Sequence, residues 1–96
     1  MIKQNIVDNV SENTGLTKLE VEAVLNESFS QIINALSRNE RIELRGFGTF
    51  AVKHRMPKKA RNPATGDPVY LAERYVPTFK PSQLMKKSVN DSLIEY

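Results

Sequence analysis

Set between two strand-like runs, Arg61-Asn62-Pro63-Ala64-Thr65-Gly66-Asp67 constrains this fold more than any other stretch. Phe50-Ala51-Val52-Lys53-His54-Arg55 precedes it, and Val69-Tyr70-Leu71 and Tyr75-Val76-Pro77-Thr78-Phe79 follow it. Proline presets one backbone angle and glycine accepts a positive one, so Asn-Pro followed by Thr-Gly-Asp is turn chemistry. The pattern predicts a long two-stranded ribbon with Pro63 near its tip. From Lys53 to Lys80 there are seven cationic residues (Lys53, Arg55, Lys58, Lys59, Arg61, Arg74 and Lys80) against Asp67 and Glu73. Strand residues alternate faces, so Lys53, Arg55, Lys59 and Arg61 can line one side, with Pro57 between them. Such a ribbon, narrow, basic and carrying an apolar ring at its tip, suits a polyanion with a groove.

The rest of the chain must supply a body for that arm. Ninety-six residues make one domain, and a compact chain this short buries only about 60–65% of its unfolded surface. With the arm projecting, a core shared between two chains is the economical solution. No cysteine is present, which removes disulfides and thiolate metal sites and fits a reducing compartment. The first residues contain no apolar signal core and no run approaches membrane-spanning length, so a soluble cytoplasmic protein without membrane contact is expected. Charge is lopsided. Up to Leu44 there are seven acidic and four basic residues, and from Arg45 onward ten basic and four acidic. A basic face of this kind is the electrostatic footprint of a nucleic-acid binder.

Taken in order, Ile2, Ile6, Val7 and Val10 recur at helical spacing and Asn13-Thr14-Gly15 closes a short first helix. Thr17-Lys18-Leu19-Glu20 reads as a capping box, with Leu16 as its staple. A second helix from Lys18 to about Ser37 keeps one apolar stripe, while its acidic opposite face makes it a poor reader of DNA. Arg41-Ile42-Glu43-Leu44-Arg45 alternates as a half-buried strand. Gly46-Phe47-Gly48 turns into a second strand that runs on into the arm, and Tyr75–Phe79 returns. Lys80-Pro81-Ser82 opens a third helix, with proline in its first turn.

Three motifs in register, Gly46-Phe47-Gly48-Thr49-Phe50, Ala60-Arg61-Asn62-Pro63-Ala64-Thr65-Gly66 and Pro77-Thr78-Phe79-Lys80-Pro81, closely resemble the bacterial HU / integration host factor family of DNA-bending proteins. Arg41–Gly48 and Tyr75-Val76-Pro77 look most like its integration host factor beta branch. Ala60 departs from the usual glycine, Gln83 from a common lysine, and Pro68 adds a second proline near the tip. The resemblance implies an α+β intertwined dimer, homodimeric or heterodimeric, with a helical body, a three-stranded antiparallel saddle and β-ribbon arms. Body residues 1–52 and 75–96 would carry an arm at 53–74. It implies a nucleoid-associated protein that binds and bends double-stranded DNA in the minor groove. Wedging by an intercalated side chain is a mechanism already attributed to this family of architectural proteins.

On this resemblance Pro63 slots between base pairs, flanked by Arg61 and Asn62. Arg55, Lys58, Lys59 and Arg74 track the backbone, as does Lys53 at the arm's root. Lys3, Lys80 and Lys86 face flanking phosphates, and Phe29, Phe47, Phe50 and Phe79 form the dimer core. Glu43 and Arg45, two apart on one strand, share a face, so Glu43 can hold the Arg45 guanidinium. Both match groove contacts of the selective branch, which implies a moderate site preference. Asp67 and Glu73 on an exposed arm offer no catalytic cleft, so no enzyme is expected. His54 has no partners for a metal site, and no cofactor is implied. The alternative function is a nonspecific packager that also binds RNA or acts as a nucleic-acid chaperone. The tail Asn90–Tyr96 carries no assigned role.

Overall fold

The computed structural model describes residues 1–94, which leaves the last two residues of the tail outside the described residues. Two compact units divide the chain, one over Met1–Asn34 and one from Ala35 onward.

In the first unit, helix α1 spans Lys3–Thr14. Its start is closed by Asn5, whose Oδ1 accepts the Ile2 N–H at 2.8 Å. Its end is Gly15, left-handed at φ 77°, whose N–H bonds to the Ser11 carbonyl; only glycine adopts that conformation without strain. Helix α2 spans Lys18–Ser37. Thr17 caps it as expected by accepting the Glu20 N–H (3.1 Å), but the box is not reciprocal. The Thr17 hydroxyl donates to the Glu20 carboxylate at 2.9 Å, since a hydroxyl can give and take where a carboxylate only accepts. Val7 (0% exposed) and Val21 (3%) make the buried core of this unit. Val24, Phe29 and Ile33 on α2 remain exposed in the single chain.

The second unit is built on a three-stranded antiparallel sheet of order β1-β2-β5, with β1 Ile42–Leu44, β2 Gly48–Arg55 and β5 Arg74–Pro81. A second ladder pairs β3 Lys58–Arg61 with β4 Pro68–Leu71, and helix α3 spans Gln83–Leu93. Gly48 is fixed by its surroundings. A Cβ there would run into the Phe79 ring and lie 2.6 Å from the Lys80 carbonyl oxygen. The Phe79 ring also lies tilted against Phe50 and Phe47, with centroids 4.7 Å and 5.4 Å away, so the three phenylalanines form one cluster.

Two expectations change here. Pro81 is not in the first turn of α3; it is the last residue of β5, opposite Gly48. Ser82 caps the helix instead, accepting the Met85 N–H (3.1 Å) and donating its hydroxyl to the Gly46 carbonyl (2.9 Å). A side-chain acceptor satisfies a helix-start N–H directly, which proline cannot do. The ribbon is also not one uninterrupted ladder. β2–β5 pairing ends at Arg55 opposite Arg74 and resumes at Lys58 opposite Leu71. Pro57 has no N–H to give, and Met56 and Pro57 pass Ala72 and Glu73 without pairing. Because two residues face two, the register is kept across the gap.

Candidate nucleic-acid interface

From the break outward the arm is short and regular. Lys59 and Arg61 keep the same strand parity as Lys53 and Arg55, since the register carries through. All four are exposed, while Ala60 between Lys59 and Arg61 is half-buried. The tip is closed by the Asn62 N–H donating to the Asp67 carbonyl at 2.8 Å and the Gly66 N–H to the Asn62 carbonyl at 2.7 Å. Gly66 takes φ 75°, a left-handed turn position that favours glycine. Pro63 stands exposed on the loop so formed.

At the arm's root, Arg55 and Arg74 lie directly opposite. With Met56, Lys58 and Val76 they border a cleft of about 580 Å³. Like charges facing across a ladder repel, and an anion seated between them relieves that repulsion. Arg74 turns partly back, donating to the Ala72 carbonyl at 3.4 Å. Among the described residues no carboxylate pairs with Lys53, Arg55, Lys58, Lys59, Arg61 or Arg74. The arm's Glu73 is engaged elsewhere, on His54 at 2.6 Å, and the His54 ring stacks on Tyr75 at 4.7 Å. That cluster was not read from the sequence. His54 faces Tyr75 in register, and Glu73 is the diagonal neighbour two residues earlier, so alternation along both strands was the available signal.

A second cleft, of about 510 Å³, lies between β1 and the start of α3 and is lined by Arg41, Glu43, Arg45, Lys80 and Gln83 among others. The expected Glu43–Arg45 pair is not formed here. Glu43 Oε1 bonds the Arg41 guanidinium at 3.1 Å, because residues two apart on either side of Glu43 share its face equally and Arg41 takes the carboxylate. Among the described residues Arg45 has no ion pair. Lys80 is exposed on β5 opposite Thr49, and Lys86 is exposed on α3. Lys3, in the first unit, is occupied: its Nζ donates to Asn26 Oδ1 at 2.9 Å and lies 4.0 Å from Glu22. Phe47, Phe50 and Phe79 come together, with Phe47 49% and Phe79 41% exposed in the single chain. Phe29 lies in the first unit and is likewise exposed.

The fold is thus α+β, an antiparallel sheet leading across a break into a second ladder whose cations have no carboxylate partners among the described residues. Residues 1–90 match the family model for bacterial DNA-binding proteins, and the chain belongs to that family. Anabaena HU, solved in a cocrystal with DNA, is 34% identical with a TM-score of 0.84, over 93% of this chain and 97% of that one. A point variant of HU from Thermotoga maritima is 29% identical with a TM-score of 0.71, over 93% and 99%. A mutant of transcription factor 1 is 25% identical with a TM-score of 0.63, over 97% and 93%. The chain is thus an HU-like, nucleoid-associated, dimeric DNA-binding protein of architectural type. No helix among the described residues is long and apolar enough to cross a membrane.

Proposed function

We propose that two copies of this arm, one from each protomer, enter the minor groove of duplex DNA and that Pro63 parts a base step at each tip. Opening a step costs about a few kcal/mol, which the added contact of bent DNA offsets. Lys53, Arg55, Lys58, Lys59, Arg61 and Arg74 neutralise phosphates along the arm, and Lys80 and Lys86 those farther along the duplex. The observation that carries this reading is the row of exposed cations without carboxylate partners leading to an exposed proline. Lys3 joins the flank contacts only by exchanging its Asn26 and Glu22 partners for phosphate. A site preference, characteristic of the integration host factor beta branch, is supported by Arg45, whose guanidinium is unpaired beside the β1–α3 cleft. Arginine in a narrow minor groove reads its width and potential. The partner is an identical or a related chain, and the site of action is the nucleoid.

Two readouts test it on the dimer. Arg55→Ala, Lys59→Ala and Arg61→Ala should each lower the log–log salt slope by about one. Pro63→Ala should leave that slope in place and reduce DNA bending, measured by fluorescence transfer between duplex ends. Equal bending by wild type and Pro63→Ala removes the wedge. Competition by double-stranded RNA of equal length, as strong as that by DNA, favours the packager and chaperone reading, since the wide, shallow A-form minor groove gives a narrow ribbon no walls.

A further inference from the structure

Asn62 stands beside Pro63, and its hydrogen bonds point inward to the loop. Its backbone N–H and carbonyl close the loop on Asp67 and Gly66. Its side-chain Oδ1 accepts the Ala64 N–H at 2.9 Å. From Arg61 to Tyr70 it is the only residue that is half-buried rather than exposed, as a side chain folded over its own loop must be. The two backbone bonds would form with any residue but proline at this position. The third needs a short side chain with an acceptor one carbon from Cβ, the defining property of asparagine and aspartate in turns.

The location of that third bond matters because of the proline it spans. Proline offers no N–H and fixes φ, so the remaining freedom that orients its ring lies in ψ of the preceding residue and in its own ψ. A bond from the side chain of residue 62 to the N–H of residue 64 closes a ring that contains both of those torsions. From this geometry we infer that Asn62 is the positioning residue of the wedge. Its carboxamide oxygen holds the Pro63 ring in the direction needed to enter a base step, and it does so in the protein without DNA. The assignment deepens the wedge reading above and rests on it. It also divides the two ends of the amide. The oxygen serves the loop, and of the two ends of the amide only the NH2 group is left for DNA.

Asparagine-to-aspartate exchange separates the two roles. Asn62→Asp keeps an acceptor for the Ala64 N–H and removes the NH2 donor; Asn62→Ala removes both. In the free dimer, Ala64 amide exchange followed by NMR should be about fivefold faster in Asn62→Ala, the equivalent of one ordinary hydrogen bond, and close to wild type in Asn62→Asp. On labelled duplex at saturating protein, Asn62→Ala should bend DNA less than wild type while keeping the wild-type salt slope, because no charge has changed. Asn62→Asp should bend as wild type does, with weaker affinity at low salt from its added negative charge. The inference is overturned if Ala64 exchanges at the wild-type rate in Asn62→Ala. It is also overturned if Asn62→Asp bends no better than Asn62→Ala at saturation, which assigns the effect to the lost NH2 group. Pro63→Ala, run beside them, reports on the wedge itself. Should it bend like wild type the wedge fails, and the exchange measurement on free protein still decides whether Asn62 builds the turn.

Discussion

Glu43 and Arg41 are joined through a 3.1 Å contact between carboxylate and guanidinium, and this leaves Arg45, the neighbour on the other side, unpaired. Both members of the pair are about two-thirds exposed, so the bond contributes at most about 1 kcal/mol to stability. Its effect is on which arginine is available. Arg45→Ala should lower the enrichment of preferred sites in a selection from random duplexes more than it lowers affinity for an average duplex. Glu43→Ala should act through Arg41, so that a double-mutant cycle couples Glu43 to Arg41 and not to Arg45. A Glu43–Arg45 coupling as large as Glu43–Arg41 contradicts the arrangement.

Dimerisation should be inseparable from folding. With Val7 and Val21 as the only buried apolar side chains among the described residues, one protomer lacks a core adequate to its length. The thermal midpoint should therefore rise with protein concentration. Phe79→Ala should destabilise by about 3–5 kcal/mol, a loss suited to a ring that the partner covers and out of scale for one left 41% exposed. A midpoint independent of concentration across about two decades contradicts this.

Gly48→Ala tests the packing at the root of the sheet. The added methyl meets the Phe79 ring and a backbone carbonyl at 2.6 Å; the ring can shift only by leaving Phe47 and Phe50, and the carbonyl is held in the β2–β5 ladder. Overpacking of this kind costs about 1–3 kcal/mol, and chemical denaturation should show a loss in that range. Gly15→Ala has open space around it and should be destabilising through its positive φ alone.

Acid should act first on the carboxylates that hold α1 and the α2 cap region. The Asp8 carboxyl is held below its ordinary 3.8 first by the hydrogen bond from Gln4, against the opposing effect of desolvation, with Lys18 adding to the lowering. A folded pKa below the unfolded one gives stability that is present above the ordinary value and lost as pH falls through the lowered one. The thermal midpoint of wild type should thus fall more steeply than that of Asp8→Asn between about pH 5 and pH 3. Parallel pH profiles for the two proteins contradict it. Because the Asp8 side chain is about two-fifths exposed to solvent, the difference should be small.

Elements set by local chemistry were legible in the sequence. α2 begins and ends where Thr17 and the apolar period place it, Gly15 closes α1, and the Asn-Pro…Gly-Asp turn puts Pro63 at a tip. Misreadings arose where two residues compete for one partner or where a ladder must be interrupted. Glu43 has arginines at equal separation on both sides, and nothing in the alternation selects Arg41. Pro81 and Ser82 both suit a helix start, and the hydroxyl that reaches Gly46 decides between them. The His54–Glu73–Tyr75 cluster depends on register, which turn length determines and composition does not.

The unpaired stretch at Met56-Pro57 and Ala72-Glu73 divides the arm into two lengths in series. Beyond it stand only four residue pairs and a loop, and an isolated two-stranded hairpin is marginal in water. Its free energy of formation is therefore settled largely by what it touches. In the chain by itself that includes the turn's own bonds, the Asn62 N–H on the Asp67 carbonyl, the Gly66 N–H on the Asn62 carbonyl and the Ala64 N–H on Asn62 Oδ1. On the wedge proposed above, a duplex easy to open at that step would gain twice, through the step itself and through the bracing that a seated tip gives to a short strand pair.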